Sequence, residues 1–191
     1  MDGLKKGSFL LGLFCACTLT CVAAQPKYGL GTRATDAQIV SWNIDVAPDG
    51  KALPLGSATV ADGEKVYMNN CLACHGLKLE GGIGPALAGG NGSLTTDKPL
   101  KTVGSYWPYA TTLFDYIRRA MPFQAPQSLT NDQVYAVTGY VLHVNKLLDA
   151  NATVDAATLA AIKMPNRDGF FIDDRPDSKA IDCMSNCLKV H

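Results

Sequence analysis

Apolar side chains recur at helical spacing in two runs between residues 108 and 148, and the break between the runs carries a Met-Pro pair. In PYATTLFDYIRRA, residues 108–120, Ala110, Leu113, Phe114 and Ile117 fall on one face, which predicts an amphipathic helix. In TNDQVYAVTGYVLHVNKLL, residues 130–148, Val134, Val137, Val141 and Leu142 do the same. Thr130 is the expected N-cap, and Gln133 stands in capping-box position. A third helix is expected over TVADGEKVYMNNC, residues 59–71, with Gly63 and Tyr67 four apart on one side. A short fourth is expected around DAATLAAI, residues 155–162. Buried β-rich runs do not accompany these segments, so the fold class is mainly α. The stretch from Gln25 to Leu55, including Trp42, has too little periodicity to predict a helix and reads as an extended arm, laid on the domain or on a partner.

The N-terminus changes the picture. MDGLKKGSFLLGLFCACTLTCVAAQP places Lys5 and Lys6 before an apolar run from Phe9, followed by small residues. That is the layout of a secretory signal over residues 1–24, with cleavage between Ala24 and Gln25. The run is shorter than the roughly 20 apolar residues a spanning helix needs, so no stable membrane span is expected after cleavage. Cys15, Cys17 and Cys21 leave with the signal, and the mature chain keeps Cys71, Cys74, Cys183 and Cys187. Of 17 basic and 17 acidic side chains, two lysines and one aspartate are also lost, leaving 15 and 16 and a net charge of −1. Such a balance offers no basic field for nucleic acid or an anionic membrane, and little electrostatic steering of any partner. The remaining 167 residues can build one domain with long extensions, and the 18 glycines and 10 prolines of the full chain, all but three of the glycines in this part, imply much loop.

Export bears on the chemistry of YMNNCLACHG, residues 67–76. A thioredoxin-like dithiol would sit in a βαβ pattern, whereas the flanks here read as helix. Zinc needs four ligands, and the mature chain has two distant Cys pairs with only His75, His143 and His191. Cys-x-x-Cys-His is instead the c-type haem attachment sequence. Two thiols add to the two porphyrin vinyl groups, and the adjacent histidine is drawn beneath the ring. Cys71 and Cys74 are thus the candidate anchors and His75 the candidate proximal iron ligand. A sixth ligand is also needed, commonly a methionine sulfur. Met68 is too close to Cys71 to reach the far face, and Met184 lies in the tail. Two Met-Pro candidates remain, Met121 and Met164.

With GGIGPALAGG following, its proline ten residues after His75, the chain resembles the small class I cytochromes c. In that family a Gly-Pro offers its proline carbonyl to the histidine. The resemblance therefore implies that the Pro85 carbonyl accepts from the His75 imidazole, and places Leu87 on the ring. It favours Met121 as sixth ligand, because the family keeps a methionine in the loop between the last two core helices, and it leaves Met164 as the alternative. It also implies a helix crossing at Gly63 and Tyr67 against Tyr140. The fold expected is a class I cytochrome c fold with an N-terminal arm, residues 25–56, a cytochrome domain, residues 57–150, and a C-terminal extension, residues 151–191. Tyr106, Trp107 and Tyr109 are candidates either for covering the haem or for ordinary aromatic core.

The stretches YGLGTRATDAQIVSWNIDVAPDGKALPLGSATVADGEKVY, KTVGSYWPYATTLFDYIRRAMPF and KMPNRDGFFIDDRPD narrow the resemblance to the cytochrome subunit of sulfane dehydrogenase, of the periplasmic sulfur-oxidising system. That resemblance implies a periplasmic electron acceptor for a molybdopterin-containing dehydrogenase subunit, passing electrons to a downstream cytochrome or oxidase, with no substrate chemistry of its own. A free shuttle and a haem enzyme acting directly on a sulfur compound are the other two classes. Longer members carry a second haem domain. Here Leu188 follows Cys187 where a histidine would be required, so one covalently bound haem c is expected. Cys183 and Cys187 are then candidates for a local disulfide.

Overall fold

The computed structural model describes residues 30–174; the signal segment, Cys183, Cys187, Met184 and His191 lie outside them. In chain order the elements are α1 (Asp36–Trp42), β1 (Ser57–Thr59), α2 (Val60–Asn70), α3 (Leu72–His75), α4 (Ala110–Ala120), α5 (Asn131–Val144), β2 (Thr153–Asp155) and α6 (Ala156–Ala161), with one 3₁₀ turn at Ser93–Thr95.

Helix α2 starts where the Thr59 hydroxyl accepts from the Asp62 amide, and it buries Val60, Gly63 and Tyr67. Helix α5 starts at the expected capping box: Gln133 N donates to Thr130 Oγ1, and Thr130 N donates to Gln133 Oε1. The two helices cross at Gly63. A Cβ there would overlap the Ala136 carbonyl oxygen, so only glycine lets the backbones meet. Beside the crossing, the Tyr67 and Tyr140 ring centroids are 5.4 Å apart. Helix α4 closes the core from another side, with Phe114 against Tyr135 at 4.5 Å between centroids. Met121 ends α4 in an extended conformation (φ −121°, ψ 148°), as a residue preceding proline does. Helix α5 stops at Val144, earlier than the apolar pattern allows, because Asn145 caps it and Lys146 turns to φ 63°.

The arm differs from the expectation. Residues 36–42 are helical, with Thr35 and Gln38 forming a capping box, although the helix buries nothing. Local capping supplied a start signal that the weak apolar periodicity did not. Beyond α1 the arm lies on the domain. Val46 N donates to Asp115 Oδ1 (2.8 Å), Arg118 Nη1 to Ile44 O (2.8 Å), Thr111 Oγ1 to Pro48 O (2.8 Å) and Tyr135 OH to Pro54 O (2.8 Å). The strand β1 that follows pairs antiparallel with β2, Ser57 opposite Asp155 and Thr59 opposite Thr153. This pairing ties the entry of α2 to the tail. After α6, capped by Asp155 as an acceptor for Thr158 N, the tail runs back over the domain. Lys163 bridges Tyr109, and Asn166 Nδ2 donates to Tyr106 O (2.7 Å). Between Ile44 and Asn166 both extensions therefore wrap the helical core, a question the sequence left open.

Asp115 is the arm's main latch, holding Val46 N while Arg119 clamps both its oxygens. Asp115→Ala would leave the buried Val46 amide without its acceptor, a cost of about 1–3 kcal/mol. Denaturant unfolding should show that loss, and the Val46 amide proton should exchange faster. Asp115→Asn, which keeps an acceptor oxygen, should lose less.

Candidate haem site

The site begins at the C-terminus of α2. Tyr67, fully buried, donates its hydroxyl to Gly76 O (2.7 Å), and burial pushes its phenol pKa upward. This bond fastens the end of α3 to the helix crossing. Cys71 N bonds back to Tyr67 O (2.8 Å), and the single turn of α3 is closed by Cys74 N and His75 N on Cys71 O (3.1 and 3.0 Å). A helical turn puts positions three apart on one side, so Cys71 and Cys74 share a face. Both are free thiols, half-buried. Burial pushes the Cys71 thiol up to about 11, with repulsion from Cys74 adding to it.

Gly76, at φ +81°, turns the chain into a loop that returns beneath the histidine. His75 Nδ1 lies 2.8 Å from Pro85 O. A carbonyl can only accept, so Nδ1 carries the proton and Nε2 keeps its lone pair for a metal. The loop is fixed by Gly81 N on His75 O (2.8 Å), Gly84 N on Cys74 O (2.9 Å), and Leu87 N and Ala88 N on Leu79 O (2.8 and 3.1 Å). A Cβ on Gly84 would come within 2.9 Å of His75 Cε1 and 3.0 Å of Nδ1. Gly84 thus leaves room for the ring, and its place directly before Pro85 was the only signal of that role. Leu87 is half-buried against the core.

The two Met-Pro methionines sit differently. Met121 is half-buried at the edge of the core, at the end of α4, whereas Met164 is enclosed by core side chains and 1% exposed. Trp107 makes an edge contact with Tyr116 of α4 (5.8 Å), while Tyr106 and Tyr109 are engaged by the tail, through Phe170 (5.4 Å) and Arg167 (4.1 Å from the ring centroid). One contributor escaped sequence reasoning. Asn145, 4% exposed at the end of α5, donates Nδ2 to Leu87 O (3.0 Å) across 58 residues of chain, and no local motif marks it.

Two cysteines on one turn, followed by an imidazole whose second nitrogen is set by a carbonyl, fit covalent haem attachment and define a c-type cytochrome. The chain belongs to the cytochrome c family, whose sequence model matches residues 60–145. It is a mainly helical class I cytochrome c, an electron-transfer protein, and the family attachment is a covalently bound haem c. Among solved structures, it is similar to a chain of the sulfane dehydrogenase SoxCD from Paracoccus pantotrophus. The two are 41% identical with a TM-score of 0.73, over 84% of this chain and 82% of that one. That share exceeds the stretch from 60 to 145, so the likeness extends into the arm and tail. No curated protein matches the chain.

Proposed function

We propose that this chain is the periplasmic, single-haem electron-accepting subunit of a molybdenum-dependent sulfane or sulfite dehydrogenase, exported by the signal over residues 1–24. The observation that carries the reading is the 41% identity to a SoxCD chain over nearly the whole length, extensions included. The haem supplies a reversible one-electron change at its iron. Cys71 and Cys74 would hold it through thioethers, His75 would bind the iron through Nε2, and Met121 would offer its sulfur as the second iron ligand. The Pro85 carbonyl fixes the imidazole, and Leu87 would lie on the ring. Enclosure of Met164 by the core favours Met121, since a sulfur surrounded by apolar side chains performs packing. The single Cys-x-x-Cys-His in the sequence supports one haem. Electrons would pass to a downstream cytochrome or oxidase, and catalysis on sulfur would belong to the molybdenum subunit.

The exposed side chains agree with a docked subunit. Helix α1 presents Ile39, Val40 and Trp42, the last 84% exposed, and the tail presents Phe171 and Ile172. The arm behind α1 is latched to α4, so the helix is held on a fixed base. The test is purification of the tagged protein from the periplasm of its own host. Equimolar molybdenum and iron would establish the complex, and iron alone under gentle conditions would favour a free shuttle. Within such a complex, Trp42→Glu should weaken attachment by about 2 kcal/mol, roughly thirtyfold in dissociation constant, as loss of an aromatic anchor does. Titration of the purified variant against the molybdenum subunit measures it.

A further inference from the structure

We infer that Asn145 is a positioning residue for the imidazole of His75, acting through the loop that carries Pro85. The Pro85 carbonyl holds the Nδ1 proton of His75, yet proline has no N–H by which to anchor itself. Its position is set by its neighbours. On one side Gly84 N is bonded to Cys74 O, within the haem-attachment turn itself. On the other, Leu87 is held by its own N–H on Leu79 O and by Asn145 Nδ2 on its carbonyl. The first two anchors are local, and Asn145 is the link from the end of α5.

The carboxamide is itself fixed. Its second N–H donates to Val141 O (2.8 Å) one turn back, so both protons are committed to carbonyls and a flipped amide would set oxygen against oxygen. Its Oδ1 is buried and has no protein hydrogen-bond partner among the described residues, and it lies against Gly104, where a Cβ would overlap it. Burial of an unpaired amide oxygen costs free energy, about 1–3 kcal/mol on mutational scales. A side chain present only for packing would avoid that cost with leucine. The geometry is instead that of a rigid strut from α5 to the loop beneath the histidine. A strut that holds Pro85 O firmly on the Nδ1 proton raises the basicity of Nε2 and favours the more positive iron state.

The inference rests on His75 being the proximal ligand, which the absorption spectrum of the unsubstituted protein checks separately. The test is Asn145→Leu, close in shape and lacking both donors, with Asn145→Ser as a second variant that can still bond Val141 but falls short of Leu87. In each, the reduction potential should rise by about 28 mV, a threefold change in the electron-exchange equilibrium at 59 mV per decade. The His75 Nδ1 proton, followed by NMR, should exchange several times faster. Leu159→Ala, which trims a buried side chain of α6, a helix packed on α4 and β2, should lower Tm and move neither readout. An unchanged potential and unchanged Nδ1 exchange in both Asn145 variants would overturn the inference, whatever happens to their Tm. If Asn145→Leu does not fold, Asn145→Ser alone decides it by the same two readouts.

Discussion

Met121→Ala should lower the reduction potential by on the order of a tenth to a few tenths of a volt, within the range of about 0.8 V that axial ligation spans. Thioether sulfur at the sixth position raises the potential of a haem, and its loss leaves water or a stray side chain in its place. The oxidised absorption spectrum should change with it. Met164→Ala should do the reverse. That side chain is 1% exposed inside the core, so its removal leaves a cavity costing about 2–5 kcal/mol while the spectrum stays as it was. Spectra and redox titrations of the two variants, beside their unfolding curves, give a crossed result. An unchanged Met121→Ala spectrum together with an altered Met164→Ala spectrum would reverse the assignment.

Gly63→Ala should be among the most damaging single-methyl additions in the chain. Its Cβ would overlap the Ala136 carbonyl oxygen and come within 2.8 Å of Tyr140 Cβ, and a backbone carbonyl cannot turn aside as a side chain can. The helices would have to separate, loosening the contact between Tyr67 and Tyr140 and the Tyr67 bond to Gly76. Overpacking usually costs about 1–3 kcal/mol, and this case belongs at or beyond the upper end. A domain stable by roughly 5–15 kcal/mol loses a large share of its stability there. Gly139→Ala is the comparison. It too is a helix interior, but its Cβ would meet Val154 Cγ2 at 2.6 Å, the end of a side chain. The gain in helix propensity, about 1 kcal/mol, offsets part of that clash. Gly63→Ala should therefore unfold at distinctly lower denaturant than Gly139→Ala, and equal midpoints would show that the crossing yields.

The helices were legible because the signals that make them lie within a few residues of one another. Thr130 and Gln133 are three apart, Leu113 and Ile117 four, and both pairs act inside the segment they define. The same local logic is present in Thr35 and Gln38, although α1 has no buried face and so carries no apolar periodicity. The site divides similarly. Cys71, Cys74 and His75 are grouped by one turn, and Pro85 comes within reach of His75 by a loop of only ten residues.

Contacts across long loops carried no such mark. Asp115 holds Val46 across 69 residues, Tyr135 holds Pro54 across 81, and Asn145 holds Leu87 across 58. Any buried polar side chain could have served, and the choice among them is made by how α2, α4 and α5 dock.

By itself, then, the sequence determined the Cys-x-x-Cys-His turn and the capping box that starts α5, while the glycine at the helix crossing and the proline carbonyl for the histidine came from the resemblance to class I cytochromes c. Spacing of three or four residues confines the first two to one neighbourhood whatever the rest of the chain does. The tertiary structure alone decided that the arm and tail wrap the core, that Met164 is enclosed while Met121 is left at the edge, and that Asn145 reaches the proline loop. Those outcomes depend on closing loops of some sixty to eighty residues, whose ends meet only because apolar faces elsewhere in the chain are buried together.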